Sequence, residues 1–215
     1  MKITFISDTH NKHRELDGLL LGGDLLVHCG DISSTGKLTE VGNFLSWFNG
    51  LDRYKHKIFI AGNHDFAFQK YDWDEDVIGE LFEFNPNVTY LENTSVIIDG
   101  IKFYGSPWTP EFNNWAFNAT LEELADMWKD IPDDTDVLIT HGPPKGILDV
   151  TREGLHVGDP ELTQALIRVR PKVHAFGHIH EACGTYMFEN GDVCINASSA
   201  NRNYQIVNKP ITINI

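Results

Sequence analysis

The chain has 215 residues, of which 41% are hydrophobic and 22% charged, a balance that excludes disordered and fibrous classes and is enough to bury a sizeable core. Its 17 Lys and Arg against 31 Asp and Glu give a net charge of −14, which disfavours a sequence-blind nucleic-acid or anionic-membrane surface. Three cysteines, Cys29, Cys183 and Cys194, contain no Cys-x-x-Cys pair and predict neither a disulfide framework nor a zinc knuckle.

Ile3 to Ser7 reads as a buried strand, followed by the polar turn Asp8-Thr9-His10-Asn11 and a helical pattern from His13 to Leu21. A second apolar run ends in Gly30-Asp31. Leu38, Val41, Leu45 and Phe48 recur at helical spacing, and Lys57 to Ala61 predicts a third strand running into Gly62-Asn63-His64-Asp65. The order βαβαβ is the signature of a parallel sheet with helices across its faces.

From Val88 the period shortens. Val88 to Leu91, Ser95 to Ile98 and Ile101 to Tyr104 predict short strands joined as hairpins by Glu92-Asn93-Thr94 and Asp99-Gly100. Ser106 to Phe117 is an aromatic and proline-rich loop, and Leu121 to Trp128 predicts a helix. Val137 to Thr140 leads into His141-Gly142-Pro143-Pro144. After a helix over Glu161 to Arg170, the strand Val173 to Phe176 ends in Gly177-His178-Ile179-His180, and Gly184 to Phe188, Asp192 to Asn196 and Ile211 to Ile215 return to β. The expectation is one domain over residues 1–215, with two sheets packed face to face and helices outside.

Every polar cluster stands at a strand end, where ligands bind in open α/β sheets. Asp8 and His10, two apart, share a face if the strand's extension persists, as do His178 and His180. Asp31 offers two oxygens that can bridge two ions. Asn63 adds a neutral oxygen and His141 an imidazole. Singly, each is an ordinary turn or loop residue; jointly they make a ligand set for two cations. Nitrogen and oxygen donors without thiolate favour Mn, Fe, Co, Ni or Zn over Ca, with Mn the first choice. His13, His28, His56, His156 and His174 have no second ligand type beside them and are given no site role.

Asp8-x-His10, Gly30-Asp31, Gly62-Asn63-His64-Asp65, His141 and Gly177-His178-x-His180 resemble, in order, the five-block signature of the calcineurin-like metallophosphoesterases. Gly105-Ser106-Pro107-Trp108-Thr109-Pro110, Thr140-His141-Gly142-Pro143-Pro144, Ile195-Asn196-Ala197-Ser198 and Val207-Asn208-Lys209-Pro210 resemble the metallophosphoesterase-domain-containing branch, the class III phosphodiesterases. The resemblance implies a four-layer αββα sandwich of two mixed sheets. It implies two divalent metals: Asp8, His10 and His180 on one, Asn63, His141 and His178 on the other, and Asp31 bridging.

The expected activity is hydrolysis of small phosphodiesters, such as cyclic nucleotides, by a metal-bridging hydroxide. His64, which follows a ligand but cannot easily share its direction, is the choice to contact the phosphate and protonate the leaving alkoxide. Asp65 orients His64 or caps a helix. Asn63 and His64, with Trp108, are the expected substrate contacts; Trp108, Phe112 and Trp115 either stack a base or pack the core. A phosphomonoesterase or protein phosphatase on the same site is the alternative, and a non-catalytic scaffold of the same fold a further one.

There is no Gly-x-x-x-x-Gly-Lys-Ser/Thr loop and no Gly-x-Ser-x-Gly elbow. Asp74-Glu75-Asp76 reads as a solvated face. Met1-Lys2 leads straight into Ile3 without a signal pattern, and no apolar run approaches the ~20 residues of a membrane span, so a soluble protein of the reducing cytoplasm is expected, with no stable nucleic-acid or membrane partner.

Overall fold

A computed structural model describes residues 1–70 and 79–215, so Asp74-Glu75-Asp76 lies outside the described residues. Strands β1 (Lys2–Ile6), β2 (Gly23–Cys29) and β3 (Tyr54–Ile60) pair in parallel, with helix α1 (Leu38–Asn49) crossing between the last two. Two short helices, α2 (Phe66–Lys70) and α3 (Glu80–Glu83), precede β4 (Thr89–Tyr90). The chain then enters a second sheet with β5 (Thr94–Ile98) and β6 (Ile101–Ser106), an antiparallel hairpin.

A small ladder of β7 (Thr109–Pro110) and β8 (Asn118–Ala119) gathers the aromatic loop, and α4 (Leu121–Lys129) follows. The second sheet is completed by β9 (Val137–Thr140), β10 (Val173–Phe176), β11 (Gly184–Met187) and β12 (Val193–Asn196), with α5 (Pro160–Val169) between β9 and β10. Strand β13 (Ile211–Asn214) returns to the first sheet, antiparallel to β1. The strand orders are β13-β1-β2-β3-β4 and β11-β12-β10-β9-β6-β5.

The strands read as continuous apolar runs, yet their side chains divide by parity into different cores. Ile3, Phe5, Leu25, Val27, Ile58 and Ile60 of the first sheet meet Phe103, Val137, Ile139, Val173, Ala175 and Ile195 of the second in one buried layer. The alternate residues Leu26 and Phe59 face outward onto Phe44, Leu45 and Phe48 of α1. On the far side Tyr104 and Leu138 pack against Leu124 and Trp128 of α4 and Leu162 and Ala165 of α5. The order of layers is therefore helix, sheet, sheet, helix: the α/β four-layer αββα sandwich.

Local chemistry starts two of the helices where the layers need them. Glu40 accepts from the backbone N–H groups of Thr35 and Lys37 and starts α1. Asp159 accepts from Glu161 N at 2.7 Å to start α5, and its other oxygen takes Trp128 Nε1 at 2.7 Å, which ties α5 to α4.

Two expectations of local structure are corrected. The stretch from His13 to Leu21 forms only a short 3-10 turn, His13–Leu16, because Gly18 and the Gly22-Gly23 pair leave no room for a longer helix before β2 begins. Val88 to Leu91 does not pair with the following strand: β4 pairs in parallel with β3, so Glu92-Asn93 crosses from one sheet to the other, and only Asp99-Gly100 makes a hairpin.

Candidate metal centre

The turns after β1, β2, β3, β9 and β10 lie together at one end of the sandwich. Asp8 N donates to Gly30 O and His10 N to Asp31 O, while Gly177 N donates to His141 O and Ser199 N to Ser7 O. These bonds stitch the strand ends across both sheets. Strand extension does not persist through Asp8-x-His10. Asp8, His10, Asp31 and His178 have φ of 52°, 41°, 56° and 67°, left-handed backbone that turns their side chains toward a common point. Each such residue costs of order 1–3 kcal/mol and persists only where its surroundings over-determine it.

Asp8, His10 and His180 bring their ligand atoms within 4.8 Å of one another. His10 Nδ1 lies 3.2 Å from Ser33 O, and His180 Nδ1 3.0 Å from Asn201 O. A carbonyl can only accept, so each Nδ1 carries the proton and each Nε2 presents a lone pair. Those two Nε2 atoms are 3.3 Å apart, and Asp8 Oδ1 is 3.5 Å from that of His180. Beside them, Asn63 Oδ1 stands 2.9 Å from His141 Nε2 and 2.8 Å from His178 Nδ1. His141 Nδ1 is likewise committed to a carbonyl, Cys29 O at 2.9 Å.

Asp31 lies between the groups. Its Oδ1 is 3.5 Å from His141 Nε2, and its Oδ2 3.7 Å from His10 Nε2. In the first group, then, both imidazoles stand in front of carbonyls that hold their Nδ1 protons, and in the second His141 does so. Such a donor set could hold cations, with the outer hydrogen bonds that orient histidine ligands.

The electrostatics agree. Burial would raise the pKa of Asp31, but the charge and hydrogen bonding of His141, then His10 and His64, hold it below the usual carboxylate range. Burial would likewise raise Asp8, and pairing with His180 holds it well below. His141 would be lowered by burial, but Asp31 lifts it to about 9, so without a cation a proton fills the gap beside Asn63. Burial pushes His178 down to about 4. Ser198 Oγ donates to Asp8 Oδ2 at 2.7 Å and His178 N at 3.0 Å, fixing that carboxylate from behind.

His64 stands beside the cluster. Its N–H donates to Asp31 Oδ1 at 2.8 Å, its Nδ1 is 2.9 Å from Ser34 O, and its Nε2 is 4.0 Å from Asp31 Oδ2. The ring stacks on Trp115 with centroids 4.3 Å apart. His10, Asp31 and His64 also fall within 4.8 Å of one another, but of the three imidazole Nε2 atoms near Asp31, that of His64 is the farthest.

Asp65 neither orients His64 nor caps a helix with its side chain. Its oxygens accept from Ile32 N, Ser33 N, Ser33 Oγ and Gly62 N, pinning the Asp31 turn to the Asn63 turn. Gly30 is required for a related reason: at φ 100° a Cβ would come 2.5 Å from His141 Nδ1 and 2.7 Å from Ala61 O.

A cavity of about 250 Å³ opens over Asp31, Asn63, His64, His178 and His180. Trp115 and Phe112 are in its wall, and Trp108 is not. Trp108, expected as a substrate contact, packs against Phe117 and the helix-side cores. Ala116 N donates to Asn63 O at 3.1 Å, and this bond sets the neighbouring Trp115, not Trp108, against His64. Tyr204 also lines the cavity, with its ring against His10 and His180, and was not signalled by the sequence. A larger cavity of about 730 Å³, between α5 and the β11–β12 hairpin, contains none of the candidate ligands.

Comparison with known proteins agrees with this geometry. The family model described as calcineurin-like phosphoesterase matches residues 1–182. The chain is 38% identical to human metallophosphoesterase domain-containing protein 1, over 98% of this chain and 69% of that one. It is 35% identical to a UPF0046 protein of Caenorhabditis elegans, over 100% of this chain and 75% of that one. Among solved structures, a Thermus thermophilus protein superposes with a TM-score of 0.65 at 14% identity, over 99% of this chain and 98% of that one. A 5'-nucleotidase from Candida albicans does so with 0.51 at 12%, over 93% and 46%. The chain belongs to the calcineurin-like phosphoesterase family, a family of dinuclear-metal phosphoester hydrolases, on the branch of the metallophosphoesterase-domain-containing proteins.

Proposed function

We propose that the chain is a phosphodiesterase acting on small diesters, cyclic nucleotides among them. The observation that carries this reading is the place of His64, on the cavity wall beside Asp31, with Nδ1 committed to Ser34 O and Nε2 free toward the cluster. Asp8, His10 and His180 would hold one divalent cation and Asn63, His141 and His178 the other, with Asp31 between them. When bound, two such ions offset the charge that develops on a phosphoryl group and activate water; manganese is the ion to load first.

The residues supply the rest. His64 gives a proton from Nε2 to the departing alkoxide, while Ser34 O and the Trp115 stack keep the ring aimed. Asn63, with His64, meets the phosphoryl group. An acidic chain without a basic run supports a small substrate over a nucleic acid. Free Cys29, Cys183 and Cys194 support a reducing, cytoplasmic setting, and among the described residues no helix is long and apolar enough to cross a membrane.

The test is turnover by Mn²⁺-loaded protein of bis(p-nitrophenyl) phosphate, p-nitrophenyl phosphate and 2′,3′- and 3′,5′-cyclic nucleotides, beside Asp31→Asn. Diester hydrolysis lost in the variant is expected. Wild type no faster than Asp31→Asn on every substrate would sink the reading, and a preference for the monoester would replace it with a phosphomonoesterase.

A further inference from the structure

The turn that carries Tyr204 is built with more care than its surface position requires. Asn201 closes it five ways: its N–H donates to Gln205 O, its carbonyl accepts Tyr204 N, its side-chain oxygen accepts from the N–H groups of Asn203 and Gln205, and its side-chain amide donates to Gln205 Oε1. Lys12 Nζ reaches across to Tyr204 O at 2.5 Å. The result holds Tyr204 at φ 56°, a left-handed conformation unfavourable for a bulky residue. An observed outlier of this kind points toward function when its side chain reaches a site.

It does reach one. The ring meets His10 edge-on with centroids 4.7 Å apart, and lies 5.6 Å from that of His180 and 6.0 Å from that of His64. The same Asn201 carbonyl that closes the turn accepts from His180 Nδ1 at 3.0 Å, so turn and ligand share one anchor. Tyr204 lines the cavity that opens over Asp31, is 43% exposed, and makes no hydroxyl hydrogen bond to another described residue. The turn also falls beyond residues 1–182, the part that matches the family model.

We infer that Tyr204 is a substrate-contacting residue: its ring walls the cavity over His10 and His180, and its unpaired hydroxyl donates a hydrogen bond to a non-esterified oxygen of a bound phosphate or phosphodiester. The inference rests on the phosphoester reading of the site, but it specifies an oxyanion contact that can be measured without turnover. A neutral donor to an anionic oxygen contributes about 1.5–3 kcal/mol, equivalent to roughly 10- to 150-fold in affinity.

The experiment is calorimetric titration of orthophosphate into Mn²⁺-loaded wild type, Tyr204→Phe and Tyr204→Ala, with metal content and melting temperature recorded for each. Tyr204→Phe keeps the ring and is expected to hold both metals and melt as wild type, yet bind orthophosphate at least 10-fold more weakly. Tyr204→Ala is expected to bind it no more tightly than Tyr204→Phe. Equal affinity of wild type and Tyr204→Phe, or no orthophosphate binding by wild type, overturns the assignment. Diester turnover is followed in parallel. If wild type hydrolyses no diester while Tyr204→Phe still weakens orthophosphate, the proposed activity falls and the Tyr204 contact stands; if turnover is present and orthophosphate affinity is unchanged, the reverse holds.

Discussion

His10 and His180 face each other nitrogen to nitrogen, their Nε2 atoms 3.3 Å apart, although both rings have already committed the opposite nitrogen to a backbone carbonyl. Two lone pairs at that distance repel unless a proton or a metal ion lies with them, and, against burial, Asp8 raises the pKa of His180 accordingly. Chelation is therefore expected to destabilise the fold as well as stop catalysis. At free metal 100 times Kd the bound ion adds about 2.7 kcal/mol, or roughly 5–10 °C at this chain length. Scanning calorimetry before and after removal of metal with EDTA measures it, and an unchanged melting temperature counts against the ligand set.

Asp31 spans the two groups, so Asp31→Asn is expected to lower occupancy at both, below one metal per chain by elemental analysis. His64→Ala is expected to leave the metals in place. Full occupancy in the first variant together with loss in the second would exchange the roles given to these residues.

If His64 protonates the leaving group, its loss is felt only where the leaving group needs a proton. His64→Ala is expected to slow cyclic-nucleotide hydrolysis about 10²- to 10⁴-fold and to slow release of p-nitrophenolate far less. An equal loss on both substrates would make His64 a phosphate contact and not an acid.

Asp65→Asn places an amide where both carboxylate oxygens accept backbone N–H groups, of Ser33 on one side and of Ile32 and Gly62 on the other. At least one donor is left facing a donor. A loss of about 2–4 kcal/mol is expected in urea unfolding of the metal-free protein. A loss under 1 kcal/mol would mean that the turns hold together without this pin.

His174 gives a pH signature away from the metals. Thr140 Oγ1 donates to Gly142 O and lies 2.8 Å from His174 Nε2, which therefore carries the ring's proton; Nδ1 is buried with no partner. Burial pushes its pKa from 6.5 down to about 3. The unfolded chain takes up the proton first as pH falls, so the stability this neutral ring contributes is complete above 6.5 and is lost between 6.5 and 3. From pH 7 to 5, wild type is expected to lose about 2 kcal/mol more than His174→Gln in urea unfolding. Equal pH slopes would show that the ring is hydrated in the fold.

The strand ends were legible because glycine followed by carboxylate, amide or imidazole at the close of an apolar run is a local pattern, and the sheets bring those closes together whatever lies between. Asp65 was misread because its partners, Ile32 and Ser33, come from another turn. Trp108 and Trp115 could not be told apart by composition: one backbone bond, Ala116 N to Asn63 O, decides which faces the site. Tyr204 was silent for the same reason, since its reach depends on a left-handed turn in an otherwise unremarkable polar stretch. Asp8 and His10 do lie together, but their convergence comes from two left-handed residues and not from an extended strand.

His10 and His180 are 170 residues apart along the chain and come from different sheets. On the ribosome the first of them emerges long before the second is synthesised, and β13, which pairs with β1 beside Asp8, comes later than either. The three-ligand set of Asp8, His10 and His180 is thus complete only when both of its distant ends are present. Capture of an ion by Asp8, His10 and His180 together is therefore expected only after His180 has been made.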